Sequence, residues 1–245
     1  MAHCAQSPSF ILHQLTCQFA TGDTLFGPLT LSLEPALCGL VGRNGSGKTC
    51  LLRLLAGLDV PAHGHIERVG SLAFVAQHQA VSPSTTLAEM LGYDAIFAAR
   101  RRIEHGDYQP DDIERLEGFW DLQERLEAAF TDAGLPAFSP LSPAAQLSGG
   151  ERMRALLCTA FMQEPDYLLL DEPTNHLDRQ GREWSYAMLT RRRGGTLVAT
   201  HDRELLALMP LILELTPSGL RSYGGNSVDY QRPRYSEHHA AQARL

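Results

Sequence analysis

The chain reads as an α/β protein built on a parallel sheet covered on both faces. Three features predict it. Short apolar runs of strand length alternate with helix-period segments, a glycine-rich stretch stands between one such run and a helix, and a block of helical periodicity rich in acidic residues interrupts the alternation. With 245 residues the chain is the size of one large domain or two small ones and has ample length for a core. A composition of 44% hydrophobic and 20% charged residues excludes the disordered, collagen-like and disulfide-scaffold classes.

From Phe10 to Val41 the β-like runs FILHQLTCQF and LTLSLEPALCGLV are separated by the turn-rich ATGDTLFGP, which predicts an antiparallel start feeding one buried strand. The glycine-rich GRNGSGKT follows, then a helix, CLLRLLAGL, stopped by Gly57 and Pro61. SLAFVAQ is a further short strand. Between Gln77 and Leu147 apolar positions recur every three or four residues, so a helical insertion is expected over about residues 78–150. ERMRALLCTAFM then reads as a helix and YLLLDEP as a buried strand ending in carboxylates. REWSYAML, GTLVAT, RELLALM, LILEL and GLRSY alternate helix and strand until the pattern fades near Tyr230.

No run approaches the ~20 apolar residues of a membrane helix, and MAHCAQSPSF has no basic segment before an apolar one, so neither a span nor a secretory signal is expected. Five cysteines, Cys4, Cys17, Cys38, Cys50 and Cys158, are odd in number and lack ligand spacing. They are expected to be reduced thiols, with no disulfide framework and no zinc site. Net charge is −7, so any contact with nucleic acid has to come from a local patch. The tail is the mildly basic region, with Arg221, Arg232, Arg234 and Arg244 against Asp229 and Glu237. Lys48 is the single lysine of the chain.

Gly42 to Thr49 fits G-x-x-x-x-G-K-[ST] between a strand and a helix, the context this phosphate-binding loop requires. Glycines let successive N–H groups turn inward, and the helix start adds partial positive charge. Lys48 is expected to reach the terminal phosphates and the Thr49 hydroxyl to hold Mg²⁺. In YLLLDEPTNHLD a strand delivers two carboxylates at its C-terminal end, where open α/β sheets bind ligands. Asp171 suits the metal, and Glu172 the orientation or deprotonation of the attacking water. Ser148, Gly149, Gly150 and Glu151, in LSGGE, offer a second anion-binding helix start.

These three segments, in this order, resemble the Walker A, signature and Walker B/D-loop segments of ATP-binding-cassette ATPases. DEPTNHLD is similar to the ABC-F subfamily, tandem-cassette proteins associated with the ribosome rather than with transport; transporter cassettes more often read TSALD there. The resemblance runs from about Phe10 to Tyr230. It implies a P-loop NTPase (RecA-like) core with an antiparallel β subdomain and the helical insertion, over residues 1–230, and the start of a helical linker over 231–245. It implies ATP and Mg²⁺ on Gly42, Arg43, Asn44, Gly45, Ser46, Gly47, Lys48, Thr49 and Cys50, with Asp171 and Gln77 as further metal ligands. It implies His201 beside Glu172 in catalysis, Asp178 as the D-loop carboxylate, and Phe19 stacking on adenine. Taken alone, His201 reads as a cap, Gln77 as a solvated strand end and Phe19 as core. The runs Arg100–Arg102 and Arg191–Arg193 read as solvent-facing helix ends, and Trp120 and Trp184 as packing residues.

Two departures from the family stand out. Cys50 replaces the usual hydroxyl residue after Thr49 and is a weaker donor. Only one copy of each motif is present, whereas the family joins two cassettes in one chain. The resemblance therefore implies a single cassette or an N-terminal half that hydrolyses ATP in a head-to-tail pair with a second cassette, its own copy or another half. The expected protein is a cytoplasmic, ribosome-associated ATPase. The other reading is the ATP-binding subunit of a membrane transporter.

Overall fold

The alternation of strands and helices resolves into two units. One contains residues 1–77, 164–174 and 186–245; the other contains 78–163 and 175–185. The computed structural model describes residues 9–19, 21–77, 81–107 and 109–224. The expected linker start, 231–245, and most of the basic tail lie outside the described residues.

The first unit opens with β1 (Ser9–Gln18), β2 (Thr24–Leu33), β3 (Leu37–Val41), α1 (Lys48–Ala56), β4 (His63–Val69) and β5 (Leu72–Val75). The second holds α2 (Leu87–Met90), α3 (Asp94–Glu104), α4 (Asp112–Leu116), α5 (Leu122–Asp132) and α6 (Gly149–Met162). The chain continues with β6 (Tyr167–Asp171), α7 (Arg179–Arg191), β7 (Gly195–Ala199), α8 (Arg203–Ala207), β8 (Leu211–Thr216) and β9 (Gly219–Gly224).

In the first unit β1, β2 and β4 form an antiparallel sheet in the order β2-β1-β4, and six strands form the second sheet in the order β5-β6-β7-β3-β8-β9. All neighbours in the second sheet are parallel except β8 and β9. Strands covered on both faces need continuous apolar runs, and β6 and β7 are buried at every position. β1 and β2 are buried on one face, which shifts where their pairing is irregular, so that Phe10, Leu12 and Leu15, and Phe26, Leu29 and Leu33, enter the core. Leu51, Leu52, Leu54 and Leu55 of α1 join that core. The helix ends at Gly57, whose left-handed φ of 75° lets its N–H and that of Leu58 bond back to Leu54 and Arg53, the turn that glycine supplies without steric cost.

The second unit has its own core, built on Leu122, Leu126 and Phe130 of α5 and on Phe138, whose ring lies 5.2 Å edge-on from that of Phe130. Ala155 and Cys158 of α6 belong to this core, so α6 folds with the helical unit through residues past 150.

In the arginine runs Arg101, Arg191 and Arg193 are exposed as expected, while Arg102 and Arg192 depart from the solvent-facing reading. Arg102 forks onto Asp112, whose side chain is 1% exposed, at 2.9 Å from Nε. That fork, together with the Gln109 N–H, holds the Asp112 carboxyl down at about 2. Arg192 donates to the carbonyls of Gly195, at 3.0 Å, and Pro165, tying the starts of β7 and β6 together. A helix-end pattern cannot show that an acidic or carbonyl partner waits elsewhere in the chain. Trp184 packs as expected, its indole N–H on Asp132 and its ring edge-on to Phe161. Trp120 does not: it is 54% exposed.

Candidate nucleotide site

The glycine-rich loop spans Gly42 to Gly47, between the end of β3 and the first turn of α1. Gly45 and Gly47 have φ of 78° and 94°, in the left-handed region that other residues enter only at a cost. At Gly47 a Cβ would also stand 2.8 Å from Leu25 and Phe26 of β2, so the loop can curl only against a glycine. The first amides of α1 have no acceptor within the helix and converge on the loop's concave side. The Ser46 hydroxyl is buried and has no hydrogen-bond partner among the described residues.

Three strand ends of the parallel sheet bring the remaining groups together. β6 and β7 pair Asp171 with Ala199, and β7 pairs with β3, which leads into the loop. The Thr49 hydroxyl donates to Asp171 Oδ2 at 2.7 Å. Lys48 Nζ lies 3.2 Å from the Gly42 carbonyl and 3.1 Å from His201 Nε2. The His201 N–H donates to Glu172 Oε2 at 3.3 Å, and its ring Nε2 lies 3.6 Å from Oε1. Lys48, Thr49, Asp171, Glu172 and His201, read from three separate stretches of sequence, therefore form one continuous cluster.

The electrostatics follow from burial. Glu172 is 8% exposed, and desolvation raises its carboxyl above the ordinary range, opposed by His201 and Lys48. Desolvation lowers Lys48, opposed by Glu172 and Asp171. Glu172 also holds a φ of 48°, unfavourable for a side chain bearing a Cβ and the kind of strain that accumulates at working sites. The donor set fits a magnesium-bound polyphosphate: hard oxygens from Thr49 and Asp171, one lysine, and a helix start.

The other expected residues fall as follows. Arg43 and Asn44 are exposed on the loop, and Gln77 is half-buried just after β5. Phe19 is 50% exposed in the turn after β1, outside the core. Cys50 departs from expectation: its side chain packs against the core in reach of the Cys17 thiol, so a phosphate contact there would use its backbone N–H.

In the second unit Ser148 caps α6 reciprocally with Glu151. Its Oγ accepts from the Glu151 N–H at 3.3 Å, and Glu151 Oε2 accepts from the Ser148 N–H at 2.8 Å. These bonds hold the Glu151 carboxyl below its usual range. A Cβ on Gly150 would meet the His176 carbonyl at 2.6 Å, so LSGGE and the segment around His176 approach as closely as backbones allow. Asp178 is exposed and accepts the Gly181 N–H at 2.8 Å. Arg154, which sequence reasoning missed, is 8% exposed and donates to the Ala133 carbonyl at 2.8 Å. Its only signal was a charge on the apolar stripe of α6.

The ABC transporter family model matches residues 28–175. The energy-dependent translational throttle protein EttA of Mycobacterium tuberculosis is 33% identical over 243 residues, which are 90% of this chain and 43% of that protein. ABC transporter F family member 5 of Arabidopsis thaliana is 32% identical over 218 residues, 78% of this chain and 32% of that protein. The chain thus spans less than half the length of these relatives. A dimeric ATP-binding cassette solved in a post-hydrolysis state with ADP and Pi matches with a TM-score of 0.68 at 21% identity, covering 88% of this chain and 98% of that one. That likeness is one of fold, and it agrees with the expected P-loop α/β architecture. With the family model spanning more than half of the sequence, the chain belongs to the ABC transporter family, the ATP-binding-cassette ATPases, and within it resembles the ABC-F proteins.

Proposed function

We propose that the chain binds ATP with Mg²⁺, closes head-to-tail on a second cassette around two nucleotides, and hydrolyses them in the service of translation on the ribosome. The observation that carries this reading is the convergence of Lys48, Thr49, Asp171, Glu172 and His201 at adjoining strand ends. The amides of Gly45 to Cys50 and Lys48 bind the phosphates. Thr49 and Asp171, with Gln77, would hold the metal, which would offset the charge that develops on the phosphate oxygens. Glu172, raised by burial and oriented by the His201 N–H, takes a proton from water. Phe19, exposed beyond β1, supplies a face for the adenine ring. Arg43 and Asn44 border the phosphates, and Ser148, Gly149, Gly150, Glu151 and Asp178 face the nucleotide of the opposite cassette.

The name of EttA, a translational throttle protein, supports a role in translation, and a role on the ribosome would place the chain in the cytoplasm. The family model's own description supports a second reading, an ATP-binding subunit serving a membrane transporter. Among the described residues no helix is long and apolar enough to cross a membrane.

The test titrates a fluorescent ATP analogue into the chain and into Lys48→Ala, and follows phosphate release over a range of protein concentrations. Saturable binding that the variant loses at least tenfold, with turnover per molecule rising with concentration, is expected. Equal binding by both proteins would refute the nucleotide site. Co-sedimentation with ribosomes against co-purification with membranes separates the two cellular roles.

A further inference from the structure

We infer that the outer face of the β1–β4 pair is a binding site for a divalent transition-metal ion of the zinc class, held by His13, His65 and Glu67. The site lies on the three-stranded sheet and shares no residue with the nucleotide cluster. One ligand atom from each of the three side chains lies within 4.8 Å of the other two. His13 Nε2 is 3.2 Å and His65 Nε2 3.7 Å from the same oxygen, Glu67 Oε1. Around a tetrahedral ion with bonds of about 2.0–2.2 Å, neighbouring ligand atoms stand roughly 3.3 Å apart. The observed atom spacing is close to this, and the two stacked imidazoles would turn about their Cβ–Cγ bonds to aim both Nε2 lone pairs at the ion.

Strand pairing builds the cluster. His13 of β1 lies directly opposite His65 of β4, and Glu67, two residues on, shares the face of His65. The two imidazoles stack with centroids 4.5 Å apart. Beside them β1 carries an irregularity between His13 and Thr16, with Gln14 at a φ of 51°. Gly64, between His63 and His65, comes so close to that turn that a Cβ would stand 2.2 Å from the His13 carbonyl. The backbone thus fixes the His13–His65 approach from both sides.

The chemistry points to a cation. His13 Nε2 is shielded from solvent and finds no hydrogen-bond partner among the described residues, although a carboxylate oxygen stands 3.2 Å away. An ion between the two satisfies both lone pairs at once. Two imidazole nitrogens and one carboxylate select zinc-class ions over the all-oxygen preference of Mg²⁺ and Ca²⁺. Three protein ligands leave a coordination position open to water.

The experiment titrates the chelator-treated 245-residue chain with Zn²⁺ by calorimetry, and with Co²⁺ to read the ligand type by absorption. Expected are one saturating equivalent, a Co²⁺ spectrum without a thiolate charge-transfer band, and tighter binding at neutral than at mildly acid pH, because the ligands must be deprotonated. His65→Ala, at an exposed position, and His13→Ala should each weaken binding by about tenfold or more, with circular dichroism and ATP-analogue binding unchanged. No saturable binding, binding that survives the double variant, or a thiolate band would each overturn the assignment.

Discussion

Replacing Glu172 by Gln keeps the shape of a side chain that is 8% exposed and removes its charge. If Glu172 takes a proton from the attacking water, turnover should fall by about 10²–10⁴-fold, roughly 2.7–5.5 kcal/mol on the barrier. Nucleotide affinity should stay close to the parent's, because Lys48 and the loop amides remain. Melting temperature should hold or rise. An amide is cheaper to bury than a carboxylate, and the one backbone bond that Glu172 accepts from His201 is long, at 3.3 Å. The pH dependence adds an independent reading. Burial raises the Glu172 carboxyl, so the acid limb of the parent's rate should lie above the ~4.3 of a free glutamate, with activity lost as pH falls through it. The variant's residual rate should lack that limb. Phosphate release at saturating ATP and high protein concentration, measured across pH beside nucleotide titration and thermal melting, decides the matter. Parental turnover would refute the role of Glu172, as would a loss of turnover accompanied by equal losses of affinity and melting temperature.

Two further outcomes follow from packing and charge. Gly150→Ala places a methyl 2.6 Å from the His176 carbonyl, so the variant should lose about 1–3 kcal/mol in denaturant unfolding; parental stability would show that the two backbones separate freely. Asp112 is held at about 2 in the fold, below its unfolded value of ~3.9. Its contribution is therefore complete above ~4 and is lost as pH falls toward about 2. Asp112→Asn should melt lower than the parent at pH 7, with the gap closing between pH ~4 and ~2. A gap independent of pH would contradict the pairing with Arg102.

Much of the phosphate loop was legible because it is local. Consecutive residues from Gly42 to Thr49 specify a turn, a left-handed conformation at Gly45 and Gly47, and a helix start, each set by its own backbone. The buried strand YLLLD was equally plain, since a run of apolar residues ending in carboxylates fits few other places. Cys50 was read by its neighbours in sequence and placed at the phosphates, but the helix turns its side chain to the core beside Cys17. Arg102 and Arg192 departed from the solvent-facing reading for a related reason. Arg102 is anchored by an aspartate ten residues away, and Arg192 by the carbonyl of Pro165, which periodicity does not register.

What sequence alone determined is the set of parts: a polyphosphate cradle, a carboxylate pair, a capped helix start at Ser148, and the alternation that makes an α/β fold. These depend on contacts within a few residues and so are written consecutively. Tertiary structure decided which parts meet. The strand order β6-β7-β3 brings Asp171, Glu172 and His201 to Lys48 and Thr49, and antiparallel register sets His13 of β1 against His65 of β4. Pairing of distant strands is set by burial summed over the whole core, which no local pattern encodes.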